Sequence, residues 1–183
     1  VGELRDLETA EVAIQAALTG HLVLSTIHTN SAAGAIPRFL SMGVKPFLLA
    51  PALNAVIGQR LVRKVCTSCK EPFTPDAESM ERVKKIISEL TPDSGYKAPP
   101  ELTFVKGRGC DVCGSLGYKG RMGIYEIMVM SPEIEKVILS GQVSEYDMQK
   151  IAVAQGMVTM VQDGILKALD GITTLEEVFG AAE

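Results

Sequence analysis

Apolar positions over residues 7–19 (LETAEVAIQAALT) recur with helical spacing and predict an amphipathic helix. Asp6 is placed to cap it, Glu8 and Glu11 suit its N-terminal half, and Gly20 ends it. The next stretch, 21–29 (HLVLSTIHT), has a different pattern. Its centre, 22–27, is mostly apolar rather than alternating, which predicts a strand buried on both faces. The opening residues VGELRD read as the tail of another strand running into a loop. Strand end, helix and buried strand together predict part of a parallel α/β sheet. A helix is expected from Asn30 or Ser31 through Met42, with Gly43 beyond its end. A further apolar helix follows over 46–59, kinked or restarted at Pro51, and then a short strand over 60–65.

The pattern changes near residue 66. A polar helix is expected over 76–90, then a Pro/Gly-rich loop (TPDSGYKAPP, 91–100). Residues 102–106 and 123–130 read as two strands of one small sheet. Beyond Ser131 the periodicity is helical in short pieces, 132–140, 144–155, 158–170 and 173–180, separated by Gly141, Gly156 and Gly171. This predicts an α/β part over 1–65, an insertion over 66–122, and a last strand with a helical tail over 123–183. No internal repeat and no low-complexity segment is visible.

The chain has 183 residues, enough for one domain or two and for a sizeable core. Its net charge of −4, without a basic block, argues against bulk nucleic-acid or membrane-surface binding as the main activity. No apolar run approaches the roughly 18 residues of a spanning helix, and no leader is visible. Four cysteines are far too few for a disulfide scaffold, and the expected compartment is reducing cytosol. Val1 is not a starter Met, and a strand tail at residue 1 suggests a fragment whose front half is missing. The plainer reading is a trimmed but complete domain.

Two constellations carry candidate chemistry. Glu3 and Asp6 follow the expected strand tail, and His28 ends the second expected strand. In open parallel sheets ligands bind outside the carboxyl ends of strands. A carboxylate there can orient an attacking water, and a neutral His flanked by Ser25, Thr26 and Thr29 can donate to a phosphate oxygen. The plain alternatives are a helix cap and a satisfied polar side chain. The second constellation is Cys66-x2-Cys69 and Cys110-x2-Cys113, with 40 residues between the pairs. Each C-x-x-C can bend as a knuckle aiming two thiolates at one tetrahedral ion. Disulfides, a redox pair or free thiols are the alternatives; two pairs with no cysteine elsewhere favour structural metal. Arg63, Lys64, Lys70 and Arg108 lie near in sequence to offset the thiolate charge. Arg60, Arg63 and Arg121 are candidates to reach a neighbouring subunit's nucleotide, against a plain role as surface charges. The late methionines read as core filler.

The stretch GELRDLETAEVAIQAALTGHLVLSTIHTN resembles the Walker B end and His box of the secretion and pilus motor ATPases. The resemblance continues through PFLLAPALNAVIGQRLVRKVCTSCKEPF, GCDVCGSLGYKGRMGIYEIM and GITTLEEVF, and it points to the assembly or export branch of type IV pili and type II secretion. It implies the C-terminal half of a RecA-like P-loop ATPase core, with a tetracysteine zinc subdomain and a helical C-terminal subdomain. It implies that Glu3 polarises the attacking water and that His28 lies near the terminal phosphate, with Arg5, Asp6 and Thr26 as neighbours. It also implies zinc on Cys66, Cys69, Cys110 and Cys113. For the whole protein it implies ATP and Mg, a hexameric ring, inner-membrane platform and adaptor partners, and a cytoplasmic place at the inner membrane. Two features depart from the family pattern. No G-x-x-x-x-G-K-[ST] occurs in these residues, and Val158 stands where members often carry a basic residue. The fragment is therefore expected to be inactive alone. The reading from another class is a non-enzymatic zinc scaffold that docks on an inner-membrane partner.

Overall fold

The computed structural model describes residues 1–96 and 99–182. Lys97 and Ala98 of the expected Pro/Gly-rich loop, and Glu183, lie outside the described residues. The chain forms a mixed α/β structure with two compact units, each made from two stretches of sequence. One comprises residues 1–58 and 127–157, the other 59–126 and 158–183. No helix among the described residues is long and apolar enough to cross a membrane.

In the first unit, α1 (Leu7–Leu18) begins where Asp6 accepts a 2.8 Å hydrogen bond from the Thr9 N–H. That caps one of the four orphan donors of the first turn. Ala10, Ala13 and Ile14 form its buried stripe. Then come α2 (Ala35–Ser41) and α3 (Pro46–Ala52), followed late in the chain by α5 (Pro132–Ser140) and α6 (Glu145–Ala154). Helix α3 packs on α1 and α5, and α5 on α6. Ile36, Leu49, Met128, Ile134, Ile138 and Met148 lie at the centre of this core, fully buried.

In the second unit, β2 (Lys70–Phe73) pairs antiparallel with β3 (Phe104–Gly107), with Lys70 opposite Gly107 and Phe73 opposite Phe104. Helices α4 (Ala77–Ser88), α7 (Met160–Leu169) and α8 (Leu175–Ala182) supply a core around Val83, Ile165, Ala168 and Val178. Strands β1 (Ala55–Val65) and β4 (Tyr118–Val129) form a separate two-stranded sheet.

Four expectations are corrected. Residues 102–106 and 123–130 do not share a sheet; each pairs with a strand far from the other. The helix expected over 46–59 stops at Ala52, and β1 starts at Ala55. Val56 and Ile57 are β-branched and suit a strand, which a continuous apolar run conceals. Helix α2 starts at Ala35, because residues 30–34 are bends and turns. Lastly, 21–29 is not a strand buried on both faces. Val23 and Ile27 pack on the core, whereas Leu22 and Leu24 are 83% and 75% exposed. The segment still lies beside residues 1–4: the Leu4 N–H donates to Thr26 O at 2.8 Å and the Val1 amine to Leu24 O at 3.2 Å. Both partners advance together along the chain, the parallel sense. Two such bonds are too few to form a regular ladder.

Candidate functional site

The pairing of residues 1–4 with 24–26 brings Glu3 and His28 to one edge. Leu4 turns into the core, 8% exposed. Glu3 and Arg5, on either side of it, therefore share the opposite face, as alternate residues of an extended segment do. The Thr26 hydroxyl donates to Gly2 O at 2.9 Å and ties the two segments together. His28 Nε2 lies 2.9 Å from Glu3 Oε1, and Arg5 Nη2 lies 2.5 Å from Glu3 Oε2. The hydrogen bond from Arg5 holds the Glu3 carboxyl below the usual carboxylate range against the opposing effect of burial, and the charges of Arg5 and His28 add to it. Glu3 Oε1 is itself buried and accepts no hydrogen bond; the His28 contact is electrostatic. Asp6 is engaged elsewhere. Its carboxylate caps α1 and is held below its usual range by the Thr9 backbone N–H first and the Thr9 hydroxyl second.

The second site is built by two knuckles. The Cys69 N–H folds back to Cys66 O at 3.3 Å, and the Cys113 N–H to Cys110 O at 3.1 Å. The 40 intervening residues include β2, α4 and β3, and the β2–β3 pairing returns the second knuckle to the first. The Cys66 N–H donates to Gly117 O at 2.9 Å. Gly117 has φ +77°, and a Cβ there would lie 2.5 Å from Gly107 O, so the crossing of these backbones requires glycine. All four sulfurs lie within 4.8 Å of one another. The Cys66–Cys110 and Cys69–Cys113 separations are 3.9 Å, and Cys110–Cys113 is 3.7 Å. A tetrahedron with metal–sulfur bonds of about 2.3 Å has edges of about 3.8 Å, whereas a disulfide needs about 2.05 Å. The four thiols are thus positioned to bind a metal and are not cross-linked. Burial alone opposes ionisation of Cys113. The N–H groups of Cys110 and Gly117, each 3.3 Å from its sulfur, outweigh this and bring it down to about 6. Burial instead pushes Cys69 up to about 11.

Residues 1–180 match the family model described as Type II/IV secretion system protein. The chain belongs to that family.

Among relatives, the type IV pilus assembly ATPase PilB of Thermus thermophilus is 48% identical over 97% of this chain and 19% of its own length. The type II secretion system protein E of Pseudomonas aeruginosa is 46% identical over 97% of this chain and 33% of its own. The chain thus spans between about a fifth and a third of these relatives. The crystal structure of the Legionella pneumophila ATPase DotB shares the fold, with a TM-score of 0.61 at 20% identity over 98% of this chain and 36% of that one.

Sequence reasoning about this family member did not single out Glu177, Tyr118, Thr174 or Glu145. Arg63, a candidate for reaching a neighbouring nucleotide, is engaged inside its own unit. Its backbone N–H and its guanidinium both donate to Glu177, at 2.9 and 2.5 Å, and the guanidinium stacks 4.3 Å from the Tyr118 ring. Tyr118 in turn bonds Thr174 at 3.0 Å. Arg60 and Arg121 are exposed. Glu145 of α6 accepts from the Ser31 hydroxyl, and the Gly34 N–H donates to Ser31 Oγ at 3.0 Å, bracing the turn that follows His28. The sequence signals for these partners are the glutamates of EE in GITTLEEVF and of SEYD, but a pairing 114 residues apart has no local trace.

Proposed function

We propose that this chain supplies the Walker B end and His box of a motor ATPase whose ATP hydrolysis drives type IV pilus assembly or type II protein secretion. The observation that carries the reading is the meeting of Glu3 and His28 at 2.9 Å, on two adjacent extended segments, in a member of the secretion family. Phosphoryl transfer to water has a loose transition state, so catalysis rests on positioning and on electrostatics. An ionised Glu3 with one free oxygen accepts a hydrogen bond from the attacking water and aims it. His28 donates from its ring to an oxygen of the terminal phosphate as charge develops there. The relatives' names include pilus assembly ATPases, and DotB is an ATPase of similar fold; both support this reading.

The finer parts of the proposal follow the family. The core is RecA-like, the whole protein is a hexameric ring, and the nucleotide sits between domains of a subunit and its neighbours. The ring works on the cytoplasmic side of the inner membrane through platform and adaptor proteins, without nucleic acid. The metal on Cys66, Cys69, Cys110 and Cys113 is zinc; it supplies folding free energy and leaves no open position for catalysis. The scaffold alternative is not favoured, since it gives the Glu3–His28 pair no task.

No phosphate-cradling loop occurs in these residues, so grip on MgATP has to come from elsewhere in the whole protein. The chain alone is expected to release no phosphate from MgATP and to bind ATP too weakly for calorimetry. In the whole protein, Glu3→Gln is expected to keep ATP binding and lose most turnover, and His28→Ala to lower turnover more than affinity. Near-wild-type phosphate release by Glu3→Gln would falsify the role given to that carboxylate.

A further inference from the structure

We infer that Glu145, on α6, is a positioning residue for His28: through Ser31 it pins the turn that follows the imidazole and so fixes where the ring is aimed. The inference rests on the role proposed above for His28. The His28 side chain is 88% exposed, so packing does little to hold it, and the backbone on either side sets its direction. Upstream, Ile27 packs on the core and the Thr26 hydroxyl is tied to Gly2 O. Downstream, full burial resumes only at Ala32 and Ala33, each 1% exposed. Residues 29–31, between these anchors, belong to no helix or strand, and hydrogen bonds hold them.

Those bonds converge on Ser31. The Thr29 hydroxyl donates to Ser31 O at 2.9 Å, and the Gly34 N–H donates to Ser31 Oγ at 3.0 Å. A serine hydroxyl carries one proton. With its oxygen accepting from Gly34, Ser31 gives that proton to Glu145 Oε1. A carboxylate acceptor makes this the stronger, charge-assisted kind of bond. Gly34 passes so near that a Cβ there would lie 3.2 Å from Ser31 Oγ and 3.3 Å from Glu145 Oε1. Its φ of −68° is one that any residue adopts, so the glycine leaves room for the pair rather than relieving the backbone. The far end of the pin is a fixed one. Ser144 caps α6, accepting from the Asp147 N–H at 3.0 Å, and Met148 and Ala152 bury the helix against the core. Ser31 and Glu145 are 114 positions apart but lie in the same compact unit. The turn beginning one residue after His28 is therefore tied to a packed helix.

The test uses the whole protein, reading kcat and KM for ATP and the melting temperature of each variant. Glu145→Ala and Ser31→Ala are each expected to lower kcat between about tenfold and a hundredfold, with KM unchanged. The double variant should be no worse than either single one, since both break the same bond. Glu145→Gln keeps a carbonyl acceptor and is expected to recover most of the loss. Melting temperatures should change little, because the pair is at the surface. The deciding comparison is made in a His28→Ala background, where Glu145→Ala is expected to have no further effect on kcat. An equal loss with and without His28 overturns the inference, because it shows that Glu145 acts on something else. Normal kcat in Glu145→Ala beside an impaired His28→Ala also overturns it and leaves the reading of His28 standing. Normal turnover in His28→Ala removes the reading of His28 itself, and this inference with it.

Discussion

Glu177 sits 14% exposed beneath Arg63 and accepts from both its backbone and its guanidinium. The hydrogen bond from Arg63 holds its carboxyl below the usual range, against some cost of burial. A carboxylate whose folded pKa is depressed adds stability that is fully present above its unfolded value of 4.5 and is lost as pH falls through the lower folded value. Glu177→Gln is therefore expected to destabilise the second unit by about 1.5 kcal/mol at pH 7, the low end for a hydrogen bond to a charged group, since Arg63 is half exposed. The gap should close as pH falls below 4.5. Urea melts at about pH 7 and about pH 3.5 check this; an equal gap at both would contradict the ionised pairing. At this scale much was legible. The clustering of the four thiols and the Asp6 cap follow from spacing and position. The partners Glu177 and Glu145 were not, because each meets a residue 114 positions away.

Among the elements, α7 and α8 meet at Gly164. A Cβ there would lie 2.5 Å from Val178 Cγ1, well inside contact. Alanine is the better helix former by about 1 kcal/mol, but overpacking a buried contact costs about 1–3 kcal/mol. The clash outweighs the gain in helix propensity, so Gly164→Ala is expected to lower the melting temperature, and adding Val178→Ala is expected to restore most of it. A stabilised single variant would show that the helices are not packed this closely. Helices were the readable elements because their punctuation is local: Gly141, Gly156 and Gly171 all adopt positive φ where the helical pieces stop. The strands were less readable. Strand β2 has only four residues and contains a proline, and β1 pairs with a strand that begins 53 residues after its own end (118 against 65). An apolar run such as 46–59 gives no period by which its helical and extended halves can be told apart.

For the whole molecule, the proposed zinc on Cys66, Cys69, Cys110 and Cys113 bears on how the second unit is held. Structural zinc on cysteines contributes on the order of 10 kcal/mol, comparable to the entire stability of a small domain. Elemental analysis is expected to find one zinc per chain. Cys110→Ser, or chelation, should raise amide exchange across 59–126 while residues 7–52 stay protected. Protein purified under reducing conditions without metal would contradict this. The functional edge is a separate matter, because Glu3 and His28 lie in the other unit. Its assignment is tested most directly by a structure of the whole protein with a non-hydrolysable ATP analogue and Mg. His28 Nε2 is expected within about 3 Å of a terminal phosphate oxygen, with a water on that phosphorus hydrogen-bonded to Glu3 Oε1. A terminal phosphate beyond hydrogen-bond reach of both residues, even through one water, would contradict it.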